Sequence, residues 1–248
     1  MSQNNGTHRA LEIPGTRVTD SHIYFLPGVL SNWHASPEPF SGTRALELCL
    51  SQLDDLKIPH PDEHALSTRL LQAFSFGCGE QWMMALKAWL FERDSVPLGE
   101  SIQALDEKSF ETLRADMLSF EPPETADPPR ATLWGSSLCR IMRTDSPRVQ
   151  KMLGRKVPNF DDQLWTKASG AIVFAGCAAR AEVDEELKGL YLASGERVYV
   201  EGSRKDRVWG VGLDWKSKEI LNERNWRGSN RLGKAHNEAA TYLRNNRS

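Results

Sequence analysis

Residues 80–93 read EQWMMALKAWLFER, and the period of this stretch decides the class of fold. At 100° per residue, Glu80, Met84, Lys87 and Phe91 fall in one narrow stripe. Trp82, Ala85, Leu86 and Trp89 cover the opposite side, with Met83 and Leu90 flanking the stripe. A helix that is apolar nearly all round is buried on several sides. Its remaining stripe holds a carboxylate and an amine two turns apart, about 10 Å of rise. Buried ionisable groups are costly unless paired or used. Two readings follow: a half-exposed helix whose Glu80 and Lys87 touch water, or two groups facing one cavity. In the second, the carboxylate is an acid/base and the lysine a nucleophile or a cationic clamp.

Working outwards, helical periodicity predicts further helices over 43–57, 63–76, 100–119, 132–142, 146–153, 161–178, 183–193 and 233–246. Asp161-Asp162 supplies an acidic first turn to one of them. Prolines break the pattern at Ile58–Pro61 and make EPPETADPPR (121–130) a loop. Short strands are predicted at His22–Leu26, closed by Pro27-Gly28, and at Arg197–Glu201, where apolar and polar residues alternate. The expected fold class is therefore mainly α with a minor, short-stranded sheet. Residues 1–20 are polar and aperiodic and are expected to be a disordered tail, with 21–248 as a single domain.

At 248 residues, 40% hydrophobic and 26% charged, the chain can bury one substantial core. No apolar run approaches the roughly 18–20 residues of a membrane helix, and the first residues lack the apolar core of a secretory signal. The four cysteines are 29, 61 and 38 residues apart. That spacing predicts reduced thiols in an intracellular protein of cytoplasm or nucleus, without structural zinc. His60 and His64 are four apart, but Pro59 and Pro61 place them in a loop, so no metal site is expected. A net charge of −2 hides an uneven layout. Residues 92–127 hold ten acids and three bases; residues 203–248 hold eleven bases and five acids. The basic end is either a solvated tail helix or a face for a phosphate-bearing ligand. Eight tryptophans suit flat ligands or interfaces.

Two glycine patterns carry little. Gly228–Lys234 satisfies the first part of a phosphate-binding loop, but Ala235 stands where a Ser or Thr would hold magnesium, and no buried strand precedes it. Gly210-Val-Gly212 lacks the third glycine of a dinucleotide fingerprint.

The longer pattern is more specific. In order the chain shows Leu30-Ser-Asn-Trp-His-Ala-Ser-Pro37, Gly79-Glu-Gln-Trp-Met-Met-Ala-Leu-Lys-Ala88, and Lys151-Met-Leu-Gly-Arg155. Asn159-Phe-Asp161 with Trp165 follows, then Val200-Glu-Gly-Ser203, Asp206-Arg-Val-Trp-Gly-Val-Gly-Leu213, and Trp226–Gly233. These collinear blocks resemble the NADAR domain, the YbiA-like N-glycosidase family, from about residue 22 to 244. The resemblance implies a mainly α-helical enzyme that needs no cofactor and cleaves an N-glycosidic bond. In the family, some members act on ribosylamino-pyrimidine phosphates of riboflavin synthesis; others remove ADP-ribose from guanine in nucleic acid. It implies Glu80 as the catalytic acid/base, Lys87 as the helix lysine, and Asp206 as a third catalytic group that orients these two or holds ribose hydroxyls. Ser31, Asn32, Trp33, Arg155, Trp165, Trp209, Gly210 and Asn230 are the implied substrate-binding set, with Arg231 a further candidate for a diphosphate. Trp33, Trp165, Trp209 and Trp226 fall in pocket-forming blocks, whereas Trp82 and Trp89 read as core.

Three departures stand out. Gln81 occupies a position that is commonly His in the family and bears on proton handling. Two stretches, about 43–78 and 95–144, read as helical insertions that could reshape the pocket mouth. Within this frame Lys87 is either an amine that forms a Schiff base with the sugar or an ammonium that fixes a phosphate. The expected function is release of ADP-ribose from a nucleobase. The alternatives are cleavage of a riboflavin intermediate, or an ADP-ribose or NAD sensor without catalysis. The expected partner is an ADP-ribose-containing small molecule or ADP-ribosylated nucleic acid, bound by a monomer.

Overall fold

The computed structural model describes residues 13–92, 106–119 and 133–246. Among them the predicted central helix forms as α3 (Gly79–Phe91). Trp82, Ala85, Leu86, Ala88 and Trp89 are fully buried, and α5 (Ser137–Met142), α6 (Pro147–Gly154) and α7 (Asp162–Val183) pack around it. The other helices are α1 (Gly42–Asp55), α2 (Leu66–Ala73), α4 (Glu107–Ser119), α8 (Glu185–Ala193) and α9 (Arg231–Asn245). The described chain is mainly α, as the periodicity predicts.

The sheets are small. β1 (Thr16–Val18) pairs antiparallel with β2 (His22–Phe25), and β2 pairs parallel with β5 (Val198–Glu201), placing Phe25 opposite Glu201. A second pair joins β3 (Phe40–Ser41) to β4 (Ser75–Phe76). The two ends of the α1–α2 segment thus meet, and Leu46, Cys49, Leu53, Leu70 and Leu71 bury it in the main core.

Several boundaries differ from the periodicity. The tail reading of 1–20 is corrected over residues 13–20: Thr16–Val18 is a strand because the edge of β2 offers its backbone partners. The remainder of that reading, the start of the helix predicted from 100, and the loop 121–130 lie outside the described residues. The helix predicted over 63–76 is confined to Leu66–Ala73, because Phe74 turns extended and Ser75–Phe76 pairs with β3. The helix predicted to end at 178 continues to Val183. Arg180, two residues beyond the predicted end, is 2% exposed and donates to the carbonyls of Val29 and Ser31.

Small residues let the helices approach. Gly176 of α7 meets α3 so closely that a Cβ there would lie 2.4 Å from Cδ1 of Trp82. The indole in turn donates to Ile172 O at 2.7 Å. Gly176→Ala is expected to destabilise the fold by roughly 1–3 kcal/mol through overpacking, read as a lowered denaturation midpoint with unchanged slope. His60 stacks on Trp89 and pairs with Asp54. No described helix is long and apolar enough to cross a membrane.

Candidate active site

The parallel strands β2 and β5 end side by side at the N-terminus of α3, and a cavity of about 420 Å³ opens there. The carboxyl ends of parallel strands are where ligand crevices form, since the chain must leave the sheet and part. Ser31, Asn32 and Trp33 enter from the loop after β2; Glu80, Met84 and Lys87 come from the predicted stripe of α3. Lys151 and Arg155 come from α6 and its end, Phe160 from just before α7 and Trp165 from its first turn, and Glu201, Asp206 and Trp209 from β5 and the loop beyond.

The loop 29–32 is held from behind. Arg180 takes the carbonyls of Val29 and Ser31, and His236 takes that of Leu30 at 2.8 Å. A carbonyl only accepts, so Nε2 of His236 carries a hydrogen and Nδ1 accepts from the Tyr191 hydroxyl at 2.6 Å. Burial, with the Arg180 charge, pushes His236 down to about 3, so the ring is neutral. The carbonyl of Asn32 then receives the Glu80 amide at 2.8 Å, which locks the loop to the first turn of α3.

Glu80 is 2% exposed. Its Oε2 accepts from the Trp33 indole at 3.2 Å, while its Oε1 is buried without a partner among the described residues. Burial pushes its pKa up to about 7; the Lys151 charge and the Trp33 hydrogen bond oppose this, and Asp206 adds to it. A carboxyl poised near neutrality can give or take a proton. Lys87 is half-buried, with Nζ 3.8 Å from the centroid of Phe160 and 5.6 Å from that of Trp165. Burial and the nearby Arg155 lower its pKa, and Asp162 opposes them. Its ammonium has no hydrogen-bond or ion-pair partner among the described residues.

The predicted set is therefore largely brought together: Ser31, Asn32, Trp33, Glu80, Lys87, Arg155, Trp165, Asp206 and Trp209 all line the cavity. Five readings are corrected. Asn230 does not line it; Nδ2 donates to Tyr199 O at 2.8 Å and Oδ1 accepts from Glu201 N at 3.0 Å, so its amide is consumed in tying α9 to β5. Gly210 is a close-packing position: a Cβ would stand 2.8 Å from Glu201 O. Asp206 lines the cavity, but its Oδ1 accepts from the amides of Val208 and Trp209 and shapes the turn; it makes no hydrogen bond to Glu80 or Lys87, which corrects the orienting reading and leaves that of holding ribose hydroxyls as a proposal. Arg231 instead donates to Ser169 at 3.3 Å. Trp226 packs against the minor core beside Ile220 and is no pocket wall.

Gln81 also has a plain role. Its amide donates to carbonyls at the end of α5 and just beyond, including Met142 and Thr144, and accepts from Gly77 N. It therefore serves packing rather than proton transfer. Sequence reading missed Glu201 and Lys151. In β5, Glu201 is in phase with the fully buried Tyr199, so strict alternation would have turned its carboxylate inward. Lys151, one turn before Arg155 on a short helix, carried no comparable sign; its Nζ lies 5.7 Å from the Trp33 ring.

Comparison with known proteins bears on this site directly. Residues 126–244, just under half of the chain, match the NADAR domain, so the family resemblance holds over that span. Over 106 residues the chain is 33% identical to Protein irg-1 of Caenorhabditis elegans, covering 42% of this chain and 50% of that protein. Over 95 residues it is 34% identical to N-glycosidase R617 of Acanthamoeba polyphaga mimivirus, covering 38% and 56%. The chain spans about half the length of the curated relatives it matches. The domain match contains Lys151, Arg155, Trp165, Glu201, Asp206 and Trp209, whereas Ser31–Trp33, Glu80 and Lys87 lie before it. For those residues the shared cavity supports a role in the site.

Proposed function

We propose that the cavity is the active site of an N-glycosidase releasing ADP-ribose from a nucleobase, with guanine as the expected base. One observation carries the reading. Glu80 is a buried carboxyl poised near pH 7, in a cavity that pairs aromatic walls with an excess of cations. Cleaving an N-glycosidic bond develops positive charge at the anomeric carbon and leaves an electron pair on the base. Trp33, Phe160, Trp165 and Trp209 offer faces for a base or ribose. Lys151, Arg155, Lys205 and Arg207 offer charge for a diphosphate. The relative named as an N-glycosidase supports the same reaction class.

In this reading the Lys87 amine bonds to the anomeric carbon as the base departs, and the surplus amine proton passes to Glu80. The nitrogen lone pair then forms the imine, the ring C–O bond opens, and Glu80 returns the proton to that oxygen. Water adds to the imine and frees the sugar from the lysine. Incubation with ADP-ribosylated DNA, following free ADP-ribose, tests this. Release is expected. Binding without release would make the domain a sensor, and consumption of a ribosylamino-pyrimidine phosphate with the DNA spared would move it to riboflavin-type substrates.

A further inference from the structure

Glu80 is one of two carboxylates with an oxygen buried and unpartnered at this cavity. The other is Glu201, whose Oε2 accepts no hydrogen bond among the described residues. Their surroundings differ. Glu80 sits in the first turn of α3, where the free amides carry partial positive charge, and accepts from the Trp33 indole. Glu201 ends a strand, and no described side chain donates to it. Two carboxyls, each with a buried oxygen at one cavity, cannot both ionise cheaply.

The charged groups facing the pair come from each packed element. From α6 and its end come Lys151 and Arg155; from α3, Lys87; from α7, Asp162; and from the loop after β5, Lys205, Asp206 and Arg207. Lys151 favours the charge on both glutamates, and Asp206 disfavours it on both. The indole and the helix end therefore set them apart: Glu80 is the first to lose its proton. Burial pushes Glu201 higher, to about 8.

Resting on the N-glycosidase reading, we propose that Glu201 is the general acid of the reaction, donating its proton to the departing base nitrogen while Glu80 serves as the base. As the bond between anomeric carbon and nitrogen breaks, its electron pair stays on nitrogen and the Glu201 proton follows. Glu80 takes the proton released by the incoming nucleophile. Glu80 passes that proton on to the opening ring oxygen, and solvent returns a proton to Glu201 once the products leave.

Leaving-group chemistry tests the assignment. Guanine attached through a neutral nitrogen needs a proton to leave; a ribosylpyridinium carrying the same ADP-ribose leaves as a neutral ring and needs none. Glu201→Gln is expected to lower kcat/KM for the guanine substrate by about 10²–10³-fold and to change the pyridinium substrate by less than about threefold. An equal loss on both, or no loss on guanine, overturns it. A second readout is independent of turnover. In the intact chain with ¹³C-labelled glutamate carboxyls, the signal missing from Glu201→Gln is expected to be still protonated at pH 7. An ionised Glu201 at that pH overturns the proposal. If the unaltered protein turns over neither substrate, the N-glycosidase reading fails while the carboxyl titration still decides where the proton sits.

Discussion

Glu80→Gln is expected to abolish most turnover while leaving ADP-ribose binding intact. The substitution keeps the shape and the bond from the Trp33 indole, since an amide oxygen also accepts, but it removes the titrating group. Acid/base catalysis by one positioned side chain is worth about 10²–10⁴-fold, so kcat should fall by that order. The pH profile supplies a sharper readout. Glu80 works as a base in its ionised form, so activity should fall as pH drops through about 7. Glu201 works as an acid in its protonated form, so activity should fall again as pH rises through about 8. The two limbs belong to the coupled pair. Glu80→Gln should remove the Glu80 titration from the lower limb of whatever activity remains, leaving the fall that protonation of the Lys87 amine causes. Full turnover in this variant would remove Glu80 from the chemistry.

Lys87 provides the other large effect. Borohydride added during turnover should reduce the imine and leave a sugar adduct on Lys87, detected by peptide mass. Lys87→Ala should show no adduct and lose activity by on the order of 10⁴-fold or more, as expected when a nucleophile is removed. Lys87→Arg separates the two roles of this amine. A guanidinium keeps the positive charge near Phe160 and Trp165 but cannot form the imine. A charge clamp would retain most turnover in Lys87→Arg; a nucleophile would retain almost none. Absence of the adduct with an active Lys87→Ala would remove the nucleophile role.

The structure also explains why the two groups can serve one reaction from one helix. Their stripe on α3 meets the cavity because every other side of that helix is taken. Trp82 is pressed against α7 at Gly176, Trp89 donates to Thr68 at 2.9 Å beside α2, and Gln81 is spent on the carbonyls around the end of α5. Of the eight tryptophans, Trp33, Trp165 and Trp209 line the cavity, whereas Trp215 and Trp226 pack on the minor core.

What the sequence by itself determined is local. The 3.6-residue period of EQWMMALKAWLFER determined a buried helix with a charged stripe, and that stripe was legible because Glu80 and Lys87 are two turns apart on one element. Prolines and caps placed most helix limits within a few residues. Only the tertiary structure decided which distant groups join that stripe. Glu201 joins the cavity of Glu80 because β5 pairs in parallel with β2, a pairing between residues about 175 positions apart, and no local period encodes the register of such a pairing. The same packing decided which polar residues were already occupied. Asn230 is spent on the backbone around β5, since a donor or acceptor buried without a partner costs more than the substrate contact that its sequence position suggested.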